Sequence, residues 1–118
     1  ARVAMLSPEL HDRYCARISH VPHVVASALV NAVLEQAPEA FEFAGSGFKD
    51  TTRIAGGLPA MWSEILDSNR REVAAGLRGV IGQLEGVIAS LEADDGRGSR
   101  LHAFLERAKD RRDDLHTN

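Results

Sequence analysis

The segment Ser19-His20-Val21-Pro22-His23 sets two imidazoles and a hydroxyl into an otherwise apolar stretch. Imidazoles three residues apart share one face of a helix, so His20 and His23, with His11 and Asp12 upstream, can be read as metal ligands. No H-E-x-x-H pattern accompanies them, and Asp50 is the only obvious further carboxylate. The same residues also suit buried, hydrogen-bonded histidines, or hydrogen bonding to a polar ligand. A second group follows at Gly45-Ser46-Gly47, where backbone can approach a ligand closely and offer amide donors. Arg53 carries the planar guanidinium that pairs bidentately with a carboxylate. Asp50, three residues earlier, can orient it by an ion pair if the segment is helical. Read alone, this second group fits a surface turn with a solvent-exposed ion pair better than a site.

The elements that must position these residues are helical. From Ile18 to Leu34, apolar residues recur as Ile18, Val21, Val24, Val25, Ala28, Leu29, Ala32 and Val33, the spacing of a helix that buries one face. Ser19, His23, Ser27 and Asn31 form a second line. Asp12 joins it, because eleven residues make three turns at about 3.6 residues per turn. Pro22 removes a backbone donor and should kink the helix or loosen a turn. Ser7-Pro8-Glu9 is a strong start signal, so one helix is expected from Pro8 to about Gln36, broken near Ser19–Pro22. A short helix or turn is expected over Pro38–Phe43, and the stretch from Ala44 to Gly57 is the least helix-like. Helical spacing resumes over Leu58–Asp67. Asn69 is the expected cap of a long helix from Arg70 to about Glu92, with an apolar stripe of Val73, Leu77, Val80, Ile81, Leu84, Val87, Ile88 and Leu91. Asp94–Gly98 reads as a loop, and Ser99 as the cap of a last helix whose charged tail frays from Lys109. Gly76, Gly79, Gly82 and Gly86 each cost a helix roughly 1 kcal/mol. They either admit a close neighbour or lie on an exposed face. The expected class is all-α, a bundle of about five helices with long central ones that favour a partner.

Composition bounds the function. With 118 residues, 44% hydrophobic and 26% charged, the chain has the make-up of one ordinary globular domain. A net charge of −3 argues against nucleic acid and anionic membranes as partners, since both demand clustered cations. The excess of Arg over Lys suits carboxylate recognition but also a GC-rich genome. The single Cys15 rules out an internal disulfide. No run of about 18 apolar residues and no signal-peptide pattern are present in the residues given, so the expected location is cytoplasmic. Ala1–Leu6 reads as a lone strand with nothing to pair with. This suggests that residues 1–6 are the remnant of a preceding domain and that 7–118 form the all-α one.

Taken together, His11-Asp12, Ser19-His20-Val21-Pro22-His23, Gly47-Phe48-Lys49-Asp50-Thr51-Thr52-Arg53-Ile54-Ala55, Met61-Trp62 and Asn69 resemble the C-terminal helical domain of prephenate dehydrogenases. The resemblance covers Ala1 to about Leu91. It implies a dimerisation domain of the type that ends 6-phosphogluconate dehydrogenase, following a Rossmann domain that binds NAD or NADP. It implies oxidative decarboxylation of prephenate to 4-hydroxyphenylpyruvate, or of arogenate to tyrosine. It implies that Arg53 binds a substrate carboxylate, that His23 and Ser19 face the substrate, and that Ser46 and Gly47 present backbone to it. Trp62 would wall the pocket, either within one chain or across the dimer. Asp12 and Asp50 would support these groups, and His20 would be support or core. No metal and no catalytic residue are implied here, because the family's Gly-rich fingerprint and catalytic His belong to the Rossmann domain. The chain alone should not turn over. Two other classes compete: a non-catalytic helical binding or dimerisation module, and a small metal-dependent hydrolase built on His11, Asp12, His20 and His23.

Overall fold

A computed structural model describes residues 5–93 and 99–115. Among these, every regular element is helical. The strand expected over Ala1–Leu6 falls largely on residues outside this set, as do the loop at Asp94–Gly98 and the side-chain cap of Ser99. The helices are α1 (Pro8–Cys15), α2 (Val21–Gln36), α3 (Ser46–Thr52), α4 (Pro59–Ser68), α5 (Arg70–Glu92) and α6 (Ser99–Asp114). Leu6–Leu77 form one compact body, and the described part of 78–118 forms another.

In the first body, α1 starts as its sequence demands. Ser7 Oγ accepts the Leu10 N–H (3.2 Å), Pro8 occupies the first turn and Glu9 faces the positive helix end. Between α1 and α2, residues Ala16–His20 form a π-helical turn in which the Val21 N–H donates to the Ala16 carbonyl. The cause is Pro22: it has no N–H to donate and its ring crowds the carbonyl four residues back, so the chain widens by one residue instead of breaking. The helical run Pro8–Gln36 is thereby continuous, and by length and composition alone it is apolar enough to cross a membrane, a property that counting short apolar runs misses. Its Ala16, Val21 and Ala26 are nonetheless buried in the body.

The buried face of α2 differs from the expected one. Val21, Ala26 and His23 are buried, whereas Ile18 is 78% exposed and Ala28 and Ala32 face outward. The widened turn resets the register, so the line through Asp12 and His23 drawn at 3.6 residues per turn does not hold. Around α2 pack two 3₁₀ turns, Pro38–Phe43 and Arg53–Gly56, together with α3. Helix α3 and its 3₁₀ extension replace the irregular stretch expected from Ala44 to Gly57. The Phe48 ring packs on Phe41 with centroids 5.6 Å apart, and Thr52 Oγ1 donates to the Phe48 carbonyl at 2.7 Å. Tertiary packing here overrides a sequence rich in Gly and Thr.

The first two turns of α5 lie against the α1–α2 junction. Arg17 Nη1 donates to the Glu72 carbonyl (2.7 Å) and pairs with its carboxylate (3.3 Å). Gly76 is buried there, and a Cβ on it would lie 2.7 Å from Val21 Cγ2 and 3.1 Å from Arg17 Cδ. Val21 is stiff at χ1, and Arg17 is held by Glu72, so neither yields easily. Gly76→Ala should therefore lower stability by about 1 kcal/mol, overpacking outweighing the helix-propensity gain. Gly79→Ala, with nothing within 4 Å of its Cβ among the described residues, should raise it by about the same amount. Urea unfolding of the two variants checks the opposite signs.

In the second body, the rest of α5 and α6 enclose a groove of about 400 Å³ lined by Gly82, Gly86 and Val87 from α5 and by Leu101, Phe104 and Arg107 from α6. The α5 residues Ile81, Leu84, Ile88 and Leu91 remain 51–65% exposed. Helix α6 continues through the tail expected to fray, with Lys109 Nζ paired to Asp113 Oδ2 at 2.7 Å.

Candidate substrate pocket

The widened turn before Pro22 aims the start of α2 at α4. Near its start, His23 lies buried with its imidazole flat on the indole of Trp62, the centroids 3.8 Å apart and the planes 14° from parallel. His20, three residues earlier, meets the same indole edge-on at 6.2 Å and 83°. Offset and T-shaped contacts of this kind hold rings in one orientation. Ile18, Ser19, Pro22, His23, Ile54 and Trp62 enclose a shallow pocket of about 200 Å³. Trp62 thus walls a pocket formed with His23 of its own chain.

His20 is fixed from behind by Asn69. Its Nδ2 donates to the Asp12 carbonyl (2.7 Å) and lies 3.4 Å from His20 Nδ1. Asn69 opens α5 through its backbone, its carbonyl accepting the Val73 N–H at 3.0 Å. The side-chain cap expected of it is absent, because the side chain ties α1 to the α4–α5 junction.

The remaining expected site residues are distributed as follows. Arg53 is exposed at the start of the 3₁₀ turn and directly precedes the pocket residue Ile54, and no hydrogen bond or ion pair engages its guanidinium among the described residues. Asp50 lies on α3, one turn back, and the two form no ion pair although the segment is helical, a correction to the expected orientation by Asp50. Both are exposed, where an ion pair gains little over solvation. Ser46 and Gly47 are the exposed first residues of α3, outside the pocket lining. Asp12 is exposed, with its carboxylate 3.7 Å from His11 Nδ1, and reaches the site only through the backbone carbonyl that Asn69 binds. Among the described residues, no three His, Cys, Asp or Glu side chains are placed to share a metal ion.

Comparison with known proteins shows which family the chain belongs to. A family model described as the dimerization domain of prephenate dehydrogenase matches residues 7–107. The chain belongs to that family. Among its relatives is a prephenate dehydrogenase of Bacillus subtilis, 36% identical over 98% of this chain and 31% of the relative. The crystal structure of the Synechocystis arogenate dehydrogenase superposes with a TM-score of 0.86 at 28% identity, covering 98% of this chain and 42% of that one. The prephenate dehydrogenase of A. aeolicus, solved with hydroxyphenyl propionate and NAD+, gives 0.79 at 35% identity, covering 97% of this chain and 40% of its own. This prephenate dehydrogenase domain spans about a third of the length of the curated relatives it matches.

Three members of the pocket were not singled out from the sequence as site residues: Pro22 for its ring wall, Ile54, and Ile18, whose 78% exposure is odd for an isoleucine on a helix. The one available signal was the Ile18–Pro22 pair, an apolar residue four positions before a proline, where the widened turn forms.

Proposed function

We propose that this chain is the substrate-binding and dimerisation domain of a prephenate dehydrogenase, an NAD- or NADP-dependent enzyme that oxidatively decarboxylates prephenate to 4-hydroxyphenylpyruvate in tyrosine biosynthesis. The observation that carries the reading is the Trp62–His23 stack walling a pocket beside an unengaged arginine. The described residues contain neither a strand nor a Gly-rich turn leading from strand to helix, so they do not form a dinucleotide cradle. The hydride-accepting cofactor is assigned to the rest of the dehydrogenase, and turnover is not expected from this chain alone.

What this chain does is bind and orient. Prephenate carries two carboxylates and a ring, and Arg53 supplies a cation for one of the carboxylates. Ser19 and His23 offer hydrogen bonds from one wall, and the Trp62 and Ile54 side chains exclude water from the ring. In this mainly apolar pocket the few hydrogen-bonding groups, Ser19 and His23, discriminate by being left unpaired when a wrong ligand enters. Arogenate shares the ring and its carboxylate and is the alternative substrate. The partners are this substrate and a second copy of the chain. No metal, nucleic acid or membrane partner is assigned, and the location is cytoplasmic.

The test is His23→Ala in the full-length dehydrogenase. The KM for prephenate should rise about 10-fold, the loss of one hydrogen bond of roughly 1–1.5 kcal/mol, while the KM for the nicotinamide cofactor changes less than about twofold. Equal changes in both, or none, refute the reading. Ratios of kcat/KM for prephenate and arogenate decide between the two substrates.

A further inference from the structure

Gly57 lies where the 3₁₀ turn hands over to α4, and it follows Gly56 directly. The two glycines differ sharply in their surroundings. Among the described residues, a Cβ on Gly56 would have nothing within 4 Å. A Cβ on Gly57 would lie 2.8 Å from Trp62 Nε1, 2.9 Å from Trp62 Cδ1 and 3.1 Å from His23 Cε1. Contacts under 3 Å force something to move. Trp62 has little freedom to do so: its face is taken by His23 at 3.8 Å, and His20 packs roughly perpendicular against the same ring at 6.2 Å. Nor can a rigid ring with two rotatable bonds slip aside as a flexible chain would.

We infer that Gly57 is a positioning residue for the pocket: its missing side chain lets the indole of Trp62 lie flat on His23, and this sets the wall that the substrate meets. The inference rests on the proposed substrate pocket for its effect on activity, but the geometric claim has its own readout. Trp62 is the only tryptophan in the chain. In the full-length dehydrogenase its near-ultraviolet circular dichroism and fluorescence are isolated as the difference from a Trp62→Phe variant.

Gly57→Ala should change that difference spectrum and raise the KM for prephenate about 10-fold, short of the roughly 100-fold that a 1 Å misplacement can cost. Gly56→Ala, one residue away in the same turn, should change neither. In a Trp62→Phe background, which removes Nε1, the nearer of the two indole atoms that the new methyl meets, Gly57→Ala should add a smaller further effect, a coupling that only neighbours in contact show. If Gly57→Ala alone fails to fold, rescue of folding in the Trp62→Phe background reports the same coupling. An unchanged Trp62 spectrum in Gly57→Ala, equal effects of the two glycine variants, or full additivity with Trp62→Phe overturns the inference. A spectrum that moves while the prephenate KM responds to neither Gly57→Ala nor Trp62→Phe upholds the positioning of the stack and refutes the substrate pocket instead.

Discussion

Arg53→Ala in the full-length dehydrogenase should raise the KM for prephenate between about 10- and 100-fold, corresponding to the roughly 1.5–3 kcal/mol of a hydrogen bond to a charged group. The KM for the nicotinamide cofactor should stay within about twofold. The argument starts from what Arg53 does not do. Its guanidinium is exposed and has no partner among the described residues, not even Asp50 one turn away. In the same body Arg17 is engaged by Glu72 and Arg70 by Asp67, whereas Arg71, like Arg53, has no partner among the described residues but lies outside the pocket lining. An unengaged guanidinium next to Ile54 of the pocket keeps its full fork of donors for an arriving carboxylate. Arg53→Lys should recover only part of the loss, since a point charge cannot reproduce the bidentate geometry. A prephenate KM unmoved by Arg53→Ala would remove Arg53 from the site. A parallel rise for the cofactor would mean that the variant disturbs the whole enzyme rather than the substrate.

The parts of this architecture legible in the sequence are those governed by local rules. The Ser7-Pro8-Glu9 start, the 3₁₀ turn at Pro38 and the span of α5 all follow from capping, proline geometry and helical spacing. The disturbance before Pro22 was foreseeable for the same reason, but its form as an added residue was not, and that form decides which side chains face inward. It explains why Asp12 misses the pocket and why His23, on the line read as polar, is buried while Ile18 is exposed. Helix α3 was illegible because Ser46, Gly47, Thr51 and Thr52 are poor helix formers individually, and the Phe48–Phe41 contact that stabilises it joins residues in different elements. The bracing by Asn69 and the close approach at Gly57 escaped for a related reason. Asparagine before a helix and glycine after a turn have local explanations, and only the fold reveals what their neighbours are.

The apolar stripe of α5 makes the last prediction. Ile81, Leu84, Ile88 and Leu91 follow one another at steps of three, four and three residues, so they share one face, and each is more than half exposed. In the same body, α6 contacts another side of α5, the one bearing Gly82, Gly86 and Val87, so α6 does not cover the stripe. Side chains of this size rarely stay in water as a continuous row unless another surface takes them up. Membership of a dimerization-domain family indicates a second copy as that surface. In a two-fold interface every residue on the stripe appears twice, so one substitution is felt from both sides. The double variant Leu84→Glu/Ile88→Glu would place four carboxylates in that contact, each costing several kcal/mol when taken out of water unpaired. The full-length dehydrogenase should then sediment as a monomer at concentrations where the parent is a dimer, with the dissociation constant raised at least about 1000-fold, equivalent to roughly 4 kcal/mol. Ala89→Glu, the same charge on an exposed residue of the same helix but off the stripe, should leave the dimer intact. Sedimentation velocity distinguishes the outcomes: a dimer that survives the double variant would mean that the stripe faces something other than a second copy. Loss of the dimer in both variants would mean that α5 responds to added charge in general, whichever face carries it.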